Sequence, residues 1–230
     1  LDAIASTITG LNPDVILLQE MINQSARFLQ NKLGETYNLF VGDKTFHYYT
    51  AVIVSKNIRI HKRSFRSFAN TLTGRGLQIV ECSYKGFPLK IVNCHLEGKR
   101  QHSEQRKVQF KELMATLKAL HDEEPNGIVV GGGDLNILNE EIDEYTEGIT
   151  DAWIASGMVE QERWTWDTYE QIDNNPKGHV RLFERLRFDR IYFSGPLNQV
   201  EFTLHGKERI DHVWRYPSDH WAINCRFSRP

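Results

Sequence analysis

Short apolar runs that stop abruptly at polar side chains constrain this chain most. Val15-Ile16-Leu17-Leu18 runs straight into Gln19-Glu20, and Ile128-Val129-Val130 into Gly131-Gly132-Gly133-Asp134. Successive strand side chains point to opposite faces, so an unbroken apolar run needs apolar cover on both. Such strands have to lie inside a stack of layers. For Val15–Leu18 the same reasoning predicts a strand neighbour on each side, one of them supplied by a segment upstream of Leu1.

Other segments fill in the stack. Leu1, Ile4, Ile8 and Leu11 share one helical face, and Gly10 with Asn12-Pro13 stops that helix. A further apolar run, Ala51–Val54, follows a stretch rich in aromatics and His. Leu77–Tyr84 and Leu89–Cys94 read as a hairpin turning at Lys85-Gly86. From Ser103 to His121, Phe110, Leu113, Met114, Leu117 and Leu120 recur at helical spacing, which predicts Ser103 as N-cap and Arg106 and Lys107 outward. Arg187–Phe193 and Trp221–Phe227 are strands, the second alternating with one buried face. Strands outnumber helices and no repeat or linker interrupts them. This predicts an α/β fold of two packed, mostly antiparallel sheets flanked by helices, a four-layer α/β/β/α sandwich, in one domain over 1–230. The polar stretch from Tyr169 to Glu184 reads as a long surface loop.

Net charge is −2, which excludes a global basic field, so any phosphate-binding surface must be a local patch or rely on a metal. Cys82, Cys94 and Cys225, odd in number and set in apolar runs, read as reduced core thiols of an intracellular protein. No apolar run is long enough to span a bilayer, and no secretory signal opens the chain.

Four constellations follow buried runs, where a rigid scaffold can aim side chains into a cleft. Glu20 ends the first; a carboxylate there suits magnesium, which takes a few hard oxygen ligands. The second is His95-Leu96-Glu97 with Lys99 and Arg100 behind, a His beside two cations that can hold phosphate oxygens. In the third, Gly131-Gly132-Gly133-Asp134-Leu135-Asn136, a carboxylate and an amide two residues apart point the same way. Asp134 is fit to take a proton from water, and Asn136 to donate to developing charge. The fourth pairs Arg187-Phe188-Asp189-Arg190 with Ser218-Asp219-His220-Trp221, where Asp189 or Asp219 fixes the tautomer of His220. Taken singly, each also suits a plain structural role: a surface glutamate, a solvated charged loop, a Gly-Asp turn, a surface His.

Their order along the chain resembles the endonuclease/exonuclease/phosphatase superfamily. Thr165-Trp166-Asp167-Thr168, Leu186-Arg187-Phe188-Asp189-Arg190-Ile191 and Pro217-Ser218-Asp219-His220-Trp221 narrow the resemblance to its tyrosyl-DNA phosphodiesterases. The likeness implies that Glu20 binds Mg2+, with Mn2+ a substitute, and that Asp219 holds the ion's hydration shell. It implies that Asp134 orients or deprotonates water, that Asn136 and His220 stabilise the transition state, and that Asp189 orients His220. His95 and Arg100, with Lys99 and Arg190 nearby, would grip phosphate, and Trp166 would wall a groove for a single-stranded 5′ DNA end. The implied substrate is DNA with a 5′-phosphotyrosyl end left by topoisomerase II, handled in the nucleus by a monomer. A phenolate, whose conjugate acid has a pKa of about 10, leaves far more readily than a sugar alkoxide. Two departures stand out. The family's Trp-Asn-x-Asp-Gly strand, whose Asn joins the metal site, would fall upstream of Leu1, where the natural protein is expected to continue into it with that Asn facing Glu20 across the metal. Leu138 occupies the place of a phosphate-contacting Arg found in vertebrate members. Rival readings are a relative acting on abasic sites, RNA 5′ ends or small phosphorylated molecules, and a non-catalytic DNA-binding adaptor.

Overall fold

The structure, a computed structural model, describes residues 1–143, 146–170 and 183–229. Helix α1 (Asp2–Leu11) ends where Asn12 turns left-handed (φ 47°) and donates its N–H to the Ile8 carbonyl. Then come β1 (Val15–Met21), α2 (Asn23–Leu33), β2 (Tyr37–Val41), β3 (Tyr49–Ser55) and β4 (Arg59–Ser67). The hairpin β5 (Gly76–Tyr84) and β6 (Phe87–His95) turns at Lys85-Gly86, as its sequence predicts. Helix α3 (Ser103–Glu123) connects β6 to the parallel strand β7 (Ile128–Asp134). After β8 (Thr150–Asp151), α4 (Ala152–Ala155), β9 (Trp166–Asp167) and β10 (Arg185–Leu186), the chain closes with β11 (Asp189–Ser194), β12 (Gln199–His205) and β13 (Ala222–Ser228).

Among the described residues a six-stranded sheet runs β4-β5-β6-β7-β11-β8, opposed by β1-β3-β2 and by the β12-β13 hairpin. Strand alternation sorts the apolar residues into layers. On β3, Ala51 and Ile53 pack against α1 and α2 with Leu29 and Leu33, while Val52 and Val54 meet Val80, Cys82 and Ile91 of the six-stranded sheet. On β6, Val92 and Cys94 face the other way, onto Phe110, Leu113 and Leu117 of α3. This is the four-layer sandwich that the sequence predicts. The β12-β13 hairpin extends the inner core, with Phe202, Leu204 and Trp221 against Phe193 and Trp153.

Several expectations need correction. On β1, Val15 and Leu17 face the opposing sheet while Ile16 and Leu18 face the helices, so packing is two-sided. The strand is nevertheless only half-buried, because it lies at a sheet edge and pairs with β3 alone among the described residues. The glycines of β7 do not end the strand but carry it on to Asp134. Ser103 is the first helical residue and its hydroxyl bonds to Glu141, so it is not the cap. Arg106 points inward, 2% exposed, gripping Glu141 at 2.6 and 2.9 Å. Residues 171–182 of the expected 169–184 loop lie outside the described residues; at its base Glu184 O accepts the Thr168 N–H at 3.0 Å. All three cysteines are free, and burial pushes the Cys82 and Cys225 thiols up to about 12. No helix among the described residues is long and apolar enough to cross a membrane.

Candidate active site

Register assembles the site. On neighbouring strands His95 stands opposite Asp134, and Asp134 opposite Asp189. Cross-strand partners share a face, so the three form one row. Each lies an even number of residues from an inner-core residue of its own strand (Ile91, Val130, Ile191), so the row faces the opposing sheet. His95 Nε2 lies 3.1 Å from Asp134 Oδ2, and the Asn136 N–H donates to Asp134 Oδ1 at 2.9 Å. Asn136 sits in the left-handed region (φ 49°) and donates its side-chain amide to the Leu96 carbonyl at 3.3 Å. From the opposite side, just before β13, His220 Nδ1 meets Asp189 Oδ2 at 2.7 Å. The partner of His220, left open between Asp189 and Asp219, is therefore Asp189. Glycine is needed at 133 (φ 134°): a Cβ would lie 2.1 Å from the Cys94 carbonyl oxygen.

The charges reinforce one another. Burial alone would lower the His220 pKa, but Asp189, Asp134 and Asp219 outweigh it and push the imidazole up to about 10. Burial likewise opposes ionisation of Asp134. His95, His220 and the Asn136 N–H overcome it and hold this carboxyl well below the usual carboxylate range. For Asp189, burial pushes the carboxyl up against the pull of His220, with Asp134 adding to the rise.

Arg75 was not legible from sequence patterns. Just before β5, its Nη1 lies 2.5 Å from His95 Nδ1, and it lines a small cavity with Tyr48, Thr50, Phe65 and His95. A guanidinium only donates, so Nδ1 of His95 accepts and Nε2 donates to Asp134. Burial lowers the pKa of Arg75, countered by Glu97, Glu20 and Asp134. Its one signal is the bracket Gly74-Arg75-Gly76, which carries no periodicity.

The remaining candidates divide. Glu20 is exposed at the bulge ending β1, left-handed (φ 52°), and its charge acts on Arg75. No hydrogen bond or ion pair holds it among the described residues. Asp219 is exposed beside His220. The Trp166 ring lies tilted 5.6 Å from that of Phe188, which stacks 6.3 Å from the ring of His220, so these three form an aromatic line beside the site. Lys99 is exposed, and Arg100, also largely exposed, pairs with Glu184. Arg190 is not in the cleft. One residue on from Asp189, it points to the other face of the sheet, where it donates to Asn139 Oδ1 at 2.7 Å and approaches Asp151 at 3.9 Å.

Among the described residues, one cluster has metal-ligating atoms within 4.8 Å of one another: Asp134, Asp189 and His220. Within it, Nδ1 of His220 is already committed to Asp189. A hard cation fits oxygen donors better, and the exposed carboxylates of Glu20 and Asp219 carry no hydrogen bond or ion pair among the described residues.

Residues 1–220 match the description of the Endonuclease/Exonuclease/phosphatase family. The chain belongs to this family. It is 40% identical to a 5′-tyrosyl-DNA phosphodiesterase of Caenorhabditis briggsae over 226 residues, covering 98% of this chain and 63% of that protein. To tyrosyl-DNA phosphodiesterase 2 of Gallus gallus it is 32% identical, with 97% and 60% covered. The chain thus spans under two thirds of these curated relatives' length. The crystal structure of truncated Caenorhabditis elegans TDP2 superposes with a TM-score of 0.92 at 38% identity, covering 98% of this chain and 88% of that one. D. rerio TDP2 complexed with single strand DNA product gives 0.87 at 28% identity, with 99% and 90% covered. Within the family, the likeness runs to the tyrosyl-DNA phosphodiesterase 2 proteins.

Proposed function

We propose that residues 1–230 form the single catalytic domain of a 5′-tyrosyl-DNA phosphodiesterase that frees 5′ DNA ends from topoisomerase II remnants, acting as a monomer in the nucleus. The observation that carries this reading is the His95-Asp134-Asp189 row closed by His220, in a chain so similar to enzymes of that name. A carboxylate held as low as Asp134 keeps its charge but is a weak base. It therefore orients and polarises the attacking water more than it captures a proton outright. The protonated His220, aimed by Asp189, and the Asn136 amide donate to the oxygens on which charge accumulates. A phenolate leaving group needs little acid assistance. Arg75, donating to His95 beside Asp134, is a cation fit to grip the phosphate, work that Leu138 cannot do and that Arg100, paired with Glu184, shares less directly. Trp166 and Phe188 offer stacking faces for unpaired bases whatever their identity. Glu20 would hold Mg2+, with Mn2+ a substitute, and Asp219 would steady the ion's waters. When bound, such an ion neutralises phosphate charge and makes water more acidic.

The test is turnover of a 5′-phosphotyrosyl oligonucleotide beside an abasic duplex, each with and without magnesium. Release of tyrosine only with magnesium is the expected result. Cleavage of the abasic duplex alone would assign the chain to another branch of the family, and binding without turnover would make it an adaptor.

A further inference from the structure

Glu97, in the same motif as His95, has no role in the chemistry above. It is 1% exposed, and a carboxylate so deeply buried is costly unless fully satisfied. One carboxylate oxygen accepts from Thr71 Oγ1 at 2.9 Å and from the N–H groups of Leu72 and Thr73 at 2.6 and 3.0 Å. The other accepts from Thr73 Oγ1 at 2.9 Å. Although burial opposes it, these bonds hold the carboxyl below its ordinary range. The backbone of Glu97 is itself fixed from α3: Gln109 Oε1 accepts its N–H, and Arg106 donates to its carbonyl, both at 2.9 Å. Among the described residues, all the hydrogen bonds to the Glu97 carboxylate come from the turn that leads to Arg75, with His102 Nδ1 4.0 Å from the second oxygen. Thr71 Oγ1, which donates to Glu97, also accepts the Arg75 N–H at 2.7 Å. Among the charges acting on the Arg75 guanidinium, that of Glu97 is the largest.

We infer that Glu97 is a positioning residue for this site: it anchors the 71–75 turn to α3 and so presents the Arg75 guanidinium to His95, with a balancing negative charge behind it. The inference rests on the hydrolase reading above. A purely structural carboxylate would stabilise the fold without acting through Arg75, and that difference is measurable.

The experiment compares the full-length protein with Glu97→Gln, Arg75→Ala and the double variant on thymidine 5′-nitrophenyl phosphate. Glutamine keeps the shape and one acceptor but loses the charge and the second acceptor, so Tm should move little. The expected loss in kcat/KM for Glu97→Gln is on the order of tenfold. Arg75→Ala should lose more, and adding Glu97→Gln to it should lose nothing further. Parent-like activity in Glu97→Gln, or an equal loss with and without Arg75, overturns the inference. A second readout needs no turnover: trypsin cleavage after Arg75, followed by mass spectrometry, should be faster in Glu97→Gln. Thr71→Val leaves Glu97 in place and cuts its link to Arg75, so it should expose the same bond even if Glu97→Gln fails to fold. If the parent cleaves no aryl phosphodiester, the proposed function falls, while unchanged protection at Arg75 in both variants would overturn the positioning role.

Discussion

The two faces of the six-stranded sheet each bury charged groups, and they do it differently. On the helix face Asp151 accepts from Arg187, approaches Arg190 at 3.9 Å, and caps α4 through the N–H groups of Trp153 and Ile154 at 3.0 and 3.4 Å. Glu141 there takes Arg106, Ser103 and the Leu138 N–H. Each carboxylate is saturated by groups that are themselves fixed. On the sandwich face Asp134 and Asp189 stand side by side on adjacent strands, balanced by His95, His220 and, at one remove, Arg75. The protonated His220 and Arg75 at this rim leave a site that an anionic group can still enter. Burial of charge alone does not mark function, therefore; what marks it is whether the network is closed. Asp189 and Arg190 are consecutive, yet they belong to different networks.

Breaking the open network should abolish chemistry and spare the fold. Asp134→Asn is expected to cut turnover by roughly 10²–10⁴-fold with Tm and DNA affinity retained, as read by steady-state kinetics beside thermal melting. Activity near that of the parent would remove Asp134 from the reaction. Breaking the closed network should do the reverse. Asp151→Ala leaves buried arginines uncompensated, so unfolding in urea should show a loss of about 3–5 kcal/mol, with kcat unchanged in whatever fraction stays folded. A fall in kcat without a fall in stability would mean that the two faces are coupled.

Acid and base should separate the faces further. His220 is more basic folded than its ordinary value of 6.5, so the protonated ring's contribution is complete below that value and disappears as pH rises through about 10. Activity should fail there, and Asp189→Asn should move that limb toward neutrality. Although burial opposes it, Arg106, the Leu138 N–H and Ser103 hold Glu141 below the usual carboxylate range. Its contribution to stability is present above its ordinary value and is lost as pH falls through the lowered one. An acid unfolding midpoint that does not rise in an Arg106→Met variant would contradict this. The smallest effect expected is from Glu20→Gln: a several-fold higher magnesium requirement with no change in stability. An unchanged magnesium titration would make Glu20 an ordinary surface residue.

What the sequence determined by itself is whatever neighbours in the chain decide. Helix α1 and its stop, the β5-β6 hairpin and the spacing of α3 were legible because side-chain period and turn chemistry are local. So were the strand ends that place His95, Asp134, Asp189 and His220, since each follows or precedes an apolar run. The strand β4 was missed because almost all of its residues are exposed, so no burial pattern marks it. Only the tertiary structure could decide direction and partnership. It turned Arg106 and Arg190 inward, chose Asp189 over Asp219 for His220, and brought Arg75 to His95 from 20 residues away. These outcomes depend on which strands pair and in what register, and a register shift of one residue sends every side chain to the opposite face.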